Sequence, residues 1–219
     1  DRVEHGRKDH GLQSHGPPLE RYAGGTRRDG GHAGKDEAKS LAKQVSMHLP
    51  ILFTDRLVLR PPEIHHFEPS ATMWASENVT RHIGGLPRSR QEAWFTICRN
   101  RGMWELLGYG SWAIEDQETG EFVGEGGFAD FERGMNPNLS NWPEAGWVFI
   151  EKAWGKGYAS EAVGAMHEWL DQNKPGQSVC IIDPGNAGSI RVAEKCGYKF
   201  WRASEYRGTS VNVYRRNLA

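Results

Sequence analysis

Two glycines, Gly155 and Gly157, stand between a strand-like run and an amphipathic helix that begins at Tyr158. The first N–H groups of a helix have no partner inside the helix, and the helix dipole adds positive potential at that end. Glycine lets an anion approach the backbone without a Cβ in the way. The order strand, glycine loop, helix therefore predicts a phosphate-binding site, to which Lys152 and Lys156 would add positive charge.

A second strand-to-helix junction follows further along the chain. Asn186 stands three residues before Ser189, at the start of a helix predicted over 187–196. Asparagine is a preferred helix cap, so capping is one interpretation of Asn186 and ligand binding is the other. Two such junctions at a defined separation are more specific than either alone.

Composition divides the chain into two parts. Residues 1–46 hold almost no large apolar side chains, so they cannot bury enough surface to offset the entropy of ordering. We expect 1–46 to be a disordered extension, with the functional start near Met47, and 47–219 to form a single domain. His5, His10 and His15 recur every five residues in the extension, which fits a metal-binding tract or chance.

Charge and cysteine usage exclude several classes of function. The formal net charge is -1, so no overall field recruits nucleic acid or an anionic membrane. No apolar run approaches the ~18 residues that a membrane span needs. The odd, widely spaced Cys98, Cys180 and Cys196 argue against a disulfide framework or a zinc site. We expect a cytoplasmic protein without a metal that binds neither nucleic acid nor membrane.

Hydrophobic periodicity predicts the elements that position these residues. Strands are predicted over 56–60, 110–115, 121–131, 144–150, 178–182, 198–201 and 210–215. Helices are predicted over 63–76, 89–107, 158–172 and 187–196, with Pro69 interrupting the first and a Ser89–Glu92 capping box opening the second. Segments 78–88 and 133–143 are predicted loops. The fold class is α/β: a mixed, mostly antiparallel central sheet with one parallel β-α-β crossover and flanking helices.

The segment Lys152-Ala-Trp-Gly-Lys-Gly-Tyr-Ala-Ser-Glu-Ala162 resembles the pyrophosphate loop of the GNAT N-acetyltransferase superfamily, written Gln/Arg-x-x-Gly-x-Gly/Ala. Segment 183–198 is similar to the second GNAT motif, Asn-x-x-Ala/Ser followed by Lys-x-Gly-Phe/Tyr. Segments 54–61, 78–93 and 154–162 are similar to the ribosomal-protein-alanine acetyltransferase (RimJ/RimL-like) branch. The resemblance covers about residues 51–216, and the predicted element order matches the GNAT fold.

The resemblance implies acetyl-CoA as the acyl donor. Its pyrophosphate would contact Lys152, Gly155, Lys156, Gly157, Tyr158, Ala159 and Ser160. Asn186, with Ser189 one turn on, would bond the pantetheine arm, between strands that splay apart to admit it. A backbone N–H of Val148, Phe149 or Ile150 would polarise the thioester carbonyl.

The resemblance also implies direct attack of an amine on the thioester, without an acyl-enzyme. Glu144 is the first candidate for the general base, Asp183 the second and His82 the third. A plainly structural interpretation of Glu144 is an exposed carboxylate at the start of a strand. Cys196, at the end of an amphipathic helix, is expected to be buried rather than nucleophilic.

One position departs from the family pattern. Many GNAT enzymes place a tyrosine seven residues after the motif asparagine, as the acid for the departing thiolate, whereas this chain has Ala193. Ser189, Tyr198 or water are the remaining candidates for that acid. The RimJ/RimL-like branch often lacks the tyrosine as well.

Three functions are therefore compared. The first is an acetyl-CoA-dependent N-acetyltransferase acting on a protein N-terminus, an amino acid or a small amine; the lower pKa of an α-amine favours it over lysine as acceptor. The alternative is a non-catalytic acyl-CoA-binding or regulatory module. A nucleotide-binding oxidoreductase is disfavoured because Ser160 stands where its fingerprint has glycine. Relatives are often dimers, which leaves a homodimer open.

Overall fold

The computed structural model describes residues 49–217, so the expected extension over 1–46, its histidines and Met47 lie outside the described residues. The strands are β1 (Leu52–Phe53), β2 (Leu57–Arg60), β3 (Ser111–Asp116), β4 (Phe122–Ala129), β5 (Glu144–Phe149), β6 (Gln177–Ile182), β7 (Lys199–Tyr206) and β8 (Thr209–Asn217). The α-helices are α1 (Phe67–Trp74), α2 (Glu77–Thr80), α3 (Arg90–Leu107), α4 (Tyr158–Asn173) and α5 (Ala187–Lys195).

These strands form one sheet in the order β1-β2-β3-β4-β5-β6-β8-β7. Every neighbouring pair is antiparallel except β5 and β6, which are parallel and joined through α4. The predicted mixed sheet with a single parallel crossover is confirmed.

The parallel pair is held together at one point only. β4 and β5 share a continuous ladder from Gly124↔Phe149 to Ala129↔Glu144, whereas β5 and β6 are registered only at Glu144↔Val179. Beyond that pair the two strands part toward their carboxyl ends. The sheet therefore opens into a cleft between β5 and β6, as the family resemblance implied.

Helix boundaries follow local chemistry, with two corrections. Pro69 does not interrupt a helix: it is the third residue of α1, in the first turn, where its missing N–H would have had no helical partner. The segment predicted as loop from 78 begins inside a short helix, α2, whose first turn is capped by Ser76 accepting the N–H of Val79. The Ser89–Glu92 capping box of α3 is confirmed.

Helix α4 packs on the sheet through the apolar stripe that its sequence predicted. Buried members of the stripe are Ala162, Val163, Met166 and Leu170. Trp104, Trp112 and Trp169 meet edge to face with ring centroids 4.7–5.4 Å apart, so α3, β3 and α4 share one aromatic contact. Such pairs contribute about 0.5–1.5 kcal/mol each beyond the area they bury.

Within residues 49–217, none of the helices is both long enough and apolar enough to cross a membrane.

A buried histidine makes the stability of this domain depend on pH. His167 of α4 is 3% exposed, and its ring packs against the rings of Phe128 and Tyr198. Neither ring nitrogen has a hydrogen-bond partner among the described residues. Burial, and then the charge of Arg216, lower the pKa of His167 to about 3. Between that value and the unfolded pKa of about 6.5, only the unfolded chain takes up this proton. Stability is therefore lost as pH falls below 6.5.

Replacing His167 by Phe should remove that loss. The histidine costs about 1.4 kcal/mol per pH unit in this window, or about 2 kcal/mol at pH 5. Urea unfolding at pH 7 and pH 5 measures the difference, with exposed His65→Asn as the control that keeps the wild-type pH dependence. If the free energy of unfolding of H167F fell between pH 7 and pH 5 as much as that of wild type, His167 would not be the group responsible.

Candidate acyl-transfer site

The glycine loop has the geometry of an anion site. Gly155 has φ of 74°, and Gly157 is the left-handed N-cap of α4 with φ of 82°, a region that glycine enters without strain. Trp154 N–H bonds the Glu151 carbonyl and Glu161 N–H bonds the Gly157 carbonyl. Within 49–217, no hydrogen bond is donated by the backbone N–H groups of the six residues between them, 155–160. These donors stand at the positive end of a 16-residue helix.

Hydrogen bonds from Thr54 and Arg56, which sequence analysis missed, hold the loop in place. The Glu161 carboxylate in the first turn of α4 accepts the Thr54 hydroxyl at 2.6 Å and the Arg56 backbone N–H at 2.9 Å. The Arg56 guanidinium also donates to the Lys156 carbonyl at 2.9 Å and lies 4.7 Å from the centre of the Tyr158 ring. The loop is therefore preorganised by the turn that joins β1 to β2. Both Lys152 and Lys156, the predicted charges, are exposed.

The second junction lies at the end of β6. The Asn186 side-chain oxygen accepts the Ser189 N–H at 3.0 Å, so the capping interpretation is correct. Within the described residues the Asn186 amide nitrogen donates to no partner, because the cap uses only the oxygen. Capping and ligand binding are thus compatible in one residue. Ser189, half-buried, lies in the first turn of α5.

The segment from Ser76 to Arg88 crosses the mouth of the cleft, and we call it the bridging segment. At one end, Ser76 and Asn78 donate to the two oxygens of Glu151, each at 2.8 Å. Further on, His82 Nδ1 lies 3.3 Å from Asp183 Oδ2. Glu151 follows β5 and Asp183 follows β6, so this segment ties together the two strand ends that the splay separates.

Two of the three candidate bases therefore meet. The side chains of His82 and Asp183 are 34% and 30% exposed, and the other oxygen of Asp183 accepts the Gly185 N–H at 2.6 Å. A carboxylate fixed in this way orients an imidazole, which leaves the second ring nitrogen of His82 for proton transfer. Asp183 stands three residues before Asn186, so the pair lies close to the second junction.

The first candidate base, Glu144, is buried, whereas the structural interpretation considered above had it exposed. Glu144 is 5% exposed, and Arg133 contacts both of its oxygens at 2.8 Å in a bidentate pair. The Arg133 guanidinium in turn lies between the rings of Phe131, at 4.4 Å, and Tyr206, at 4.7 Å. Sequence analysis missed Arg133, because nothing in the 133–143 loop indicates which of its side chains turns inward.

Neither Ala193, which replaces the family tyrosine, nor Tyr198 offers an acid to the cleft. Ala193 is fully buried, and the Tyr198 hydroxyl shares a hydrogen bond with Ser178 inside the core at 3.0 Å, with burial raising the pKa of Tyr198. Tyr198 therefore does not face the cleft. Burial likewise raises the pKa of the half-buried Cys196 thiol, which keeps it protonated and non-nucleophilic.

A cluster of His65, His66 and Glu115 has ligand atoms within 4.8 Å of one another. Arg60 already donates to Glu115 at 2.7 Å. The Glu63 N–H donates to His66 Nδ1, so Nε2 carries the ring proton and donates to Glu115 at 2.9 Å. These groups satisfy one another, and the tautomer of His66 is the wrong one for metal binding through Nε2.

Known proteins resemble this chain in sequence and in fold. Residues 56–199 match the family model described as an acetyltransferase (GNAT) domain. The chain is 33% identical over 172 residues to YkkB, an uncharacterised protein of Bacillus subtilis, covering 75% of this chain and 94% of YkkB. It is 30% identical to a solved putative GnaT-family acetyltransferase from Bordetella pertussis, with a TM-score of 0.68 over 76% of this chain and 99% of that one.

A ribosomal L7/L12 α-N-protein acetyltransferase, RimL, solved in complex with coenzyme A, shares the fold at 18% identity, with a TM-score of 0.64 over 77% of this chain and 98% of that one. Fold and matches together define an acyltransferase enzyme. The chain belongs to the GNAT acetyltransferase family, as the two motifs predicted.

Proposed function

We propose that this enzyme transfers the acetyl group of acetyl-CoA to a primary amine, by direct attack of the amine on the thioester. The observation that carries the proposal is the row of backbone N–H groups over 155–160, which opens beside a cleft in the sheet. Together they provide one place for a pyrophosphate and one for an extended arm. The pyrophosphate would lie against Gly155, Lys156, Gly157, Tyr158, Ala159 and Ser160, with Lys152 nearby.

The register of the sheet selects the group that would polarise the thioester. Ile150 N–H is bonded to the Val123 carbonyl at 3.0 Å on β4. Donors of an antiparallel strand alternate in direction, so Val148 N–H also points to β4 while Phe149 N–H points into the cleft. The Phe149 carbonyl is already engaged by the Trp154 indole N–H at 2.8 Å. Of the three residues expected here, Phe149 is thus the proposed donor to the thioester oxygen, and one such donor is worth about 2.7–4 kcal/mol.

For the general base we propose His82, oriented by Asp183, in place of Glu144. Both Glu144 oxygens are occupied by N–H donors of a buried guanidinium, whereas His82 is accessible and lies on the bridging segment. The amine would give its proton to the imidazole, form the N–C bond and displace the coenzyme A thiolate as the C–S bond breaks. Ser189 or water would protonate that thiolate.

As acceptor we propose an α-amine, either a protein N-terminus or a small amino compound. An α-amine with pKa about 7.7–8.0 is appreciably neutral near pH 7.5, which suits a single imidazole as base, whereas lysine is almost fully charged. A role in acetylating protein N-termini, as in the RimJ/RimL-like branch, is one form of this proposal, supported by the shared fold of RimL.

Calorimetry with acetyl-CoA, using NAD and ATP as controls, tests the proposal. Selective micromolar binding of acetyl-CoA is expected, followed by release of coenzyme A thiol when a suitable amine is added. No binding would sink the proposal. Binding without thiol release across a broad amine panel would favour the non-catalytic acyl-CoA module instead.

Replacing Gly157 by Ala should weaken acetyl-CoA binding about tenfold. A side chain at φ of 82° is strained by roughly 1–2 kcal/mol, and relief of that strain turns the loop N–H groups away from the phosphate. Gly164→Ala in the middle of α4 is the matched control: its Cβ meets nothing within 4 Å, so affinity should stay unchanged. Equal affinities of G157A and wild type would count against phosphate binding at this loop.

A further inference from the structure

A buried carboxylate lies beside the proposed thioester donor. Glu125 of β4 is paired with Val148 of β5, one residue before Phe149. Directly opposite residues of a ladder share a face, and on this face Val148 packs against the cluster of Met73, Trp74 and Val79. The Glu125 carboxylate accepts the Ser70 hydroxyl and, at 3.4 Å, the Trp74 indole N–H. Glu125 therefore lies on the face of the sheet that the bridging segment covers, because Val79 of that segment belongs to the same cluster.

Two arginines reach the same region from different elements. Arg88, at the end of the bridging segment, has its guanidinium 3.5 Å from the centre of the Trp74 ring and donates to the Thr96 hydroxyl at 3.3 Å. Arg99 of α3 lies 5.3 Å from the Phe131 ring centre. Aromatic faces hold a guanidinium in place without neutralising its charge.

Neither guanidinium has a carboxylate partner. Among the ion pairs within 4.0 Å in residues 49–217, neither Arg88 nor Arg99 takes part, although Glu125 lies near both. Arg133 and Arg216, by contrast, pair directly, with Glu144 at 2.8 Å and with Asp171 at 2.6 Å. Half-buried Arg215 also lacks an ion pair among the described residues but lies on the Trp201 ring, whereas Arg88 and Arg99 both lie near Glu125.

Burial and neighbouring positive charges disfavour the charged forms of both arginines. Burial, and then the charge of Arg99, lower the pKa of Arg88 to about 10. Burial also lowers the pKa of Arg99, against the opposing effect of Glu125 and with the charge of Arg133 adding to it. Arg99 as a residue is exposed, so an anion can approach it from solvent. Desolvated charges without partners are costly, and a bound anion would relieve that cost.

We propose that Arg88 and Arg99 bind a carboxylate carried by the acceptor itself, while Glu125 faces its amine. The inference rests on the proposed function and narrows the acceptor to amino acids, or to peptides whose first residue is acidic. A planar guanidinium matches a carboxylate through two parallel hydrogen bonds, which a neutral amide cannot reproduce. Amines without a carboxylate would leave both arginines unpaired and would be poor acceptors.

Paired probes separate the two sources of the carboxylate. Free amino acids are compared with their amides, and short peptides beginning with Asp or Glu with those beginning with Asn or Gln. Thiol release from acetyl-CoA is measured for each pair, and binding of the corresponding N-acetylated products is measured calorimetrically in the presence of coenzyme A. In one of these two sets of probes, we expect wild type to favour the compound with the carboxylate at least about tenfold.

The variants R99Q and R88Q should each lose most of that preference while keeping wild-type affinity for acetyl-CoA. Arg99 is exposed, so R99Q is expected to fold normally even where R88Q, packed on Trp74, does not. R101Q, at an exposed arginine of the same helix, is the control that keeps the preference. The absence of any carboxylate preference or binding, or a preference that survives in R99Q, would overturn the inference. Failure of wild type to bind acetyl-CoA would instead overturn the proposed function.

Discussion

Replacing Arg133 by Met is expected to lower the free energy of unfolding by about 3–5 kcal/mol. The variant leaves Glu144, which is 5% exposed, as an uncompensated buried carboxylate, and it removes a guanidinium held between two aromatic rings. For a domain of this size each kcal/mol shifts the melting temperature by about 2–4 °C, so a fall of roughly 10 °C should be seen by calorimetry.

The exposed Arg207 is the matched control, because it lies 5.3 Å from the same Tyr206 ring but takes part in no ion pair within the described residues. R207M should change stability by less than about 0.5 kcal/mol. The double variant R133M/E144Q should be less destabilised than the sum of its two single changes, since it removes both charges. Strict additivity would show that the two groups are not coupled. This coupling also means that lost activity in E144Q alone does not identify a base.

Replacing His82 by Gln is expected to lower kcat by about 10²- to 10⁴-fold, with the calorimetric Kd for acetyl-CoA unchanged. Glutamine preserves a hydrogen bond to Asp183 but cannot take a proton from the amine. Asp183→Asn should lower kcat less, because it affects the orientation of the imidazole and leaves the base itself in place. The measurement is steady-state release of coenzyme A thiol with any amine that the acceptor panel identifies.

His65→Gln is the control for H82Q, since His65 is a more exposed histidine, 57% accessible, that lies beside Glu115 instead of the cleft. An H82Q enzyme with wild-type kcat would assign the proton transfer elsewhere, either to water or to Glu144. A raised Kd for acetyl-CoA in H82Q would indicate that the bridging segment supports the cofactor more than the chemistry.

Local chemistry made much of the fold predictable. The Ser89–Glu92 box, the glycine loop and the apolar stripe of α4 are each written in a few adjacent residues, and the structure has all three. The two-residue strand β1 and the four-residue helix α2 were not predicted, because elements this short do not show a hydrophobic period.

Contacts between distant side chains were the part that sequence could not provide. Glu144, Asp183 and His82 were each proposed singly, but the Arg133 partner of Glu144 and the meeting of His82 with Asp183 depend on the paths of two loops. Glu125 was not considered at all, because a carboxylate amid glycines in a strand gives no sign that it is buried against Ser70 and Trp74. A single sequence records residue types at such points and leaves their partners open.

Because β5 and β6 share a single registered pair, the sheet lacks most of one hydrogen-bonded ladder. Backbone donors such as Phe149 N–H line the gap, and the amides of an extended ligand arm can complete the ladder that the polypeptide leaves open. A molecule bound there would act as structural material joining two half-sheets, β1–β5 and β6–β8. Binding of such a molecule would then stabilise the fold, and the domain without it would unfold more readily.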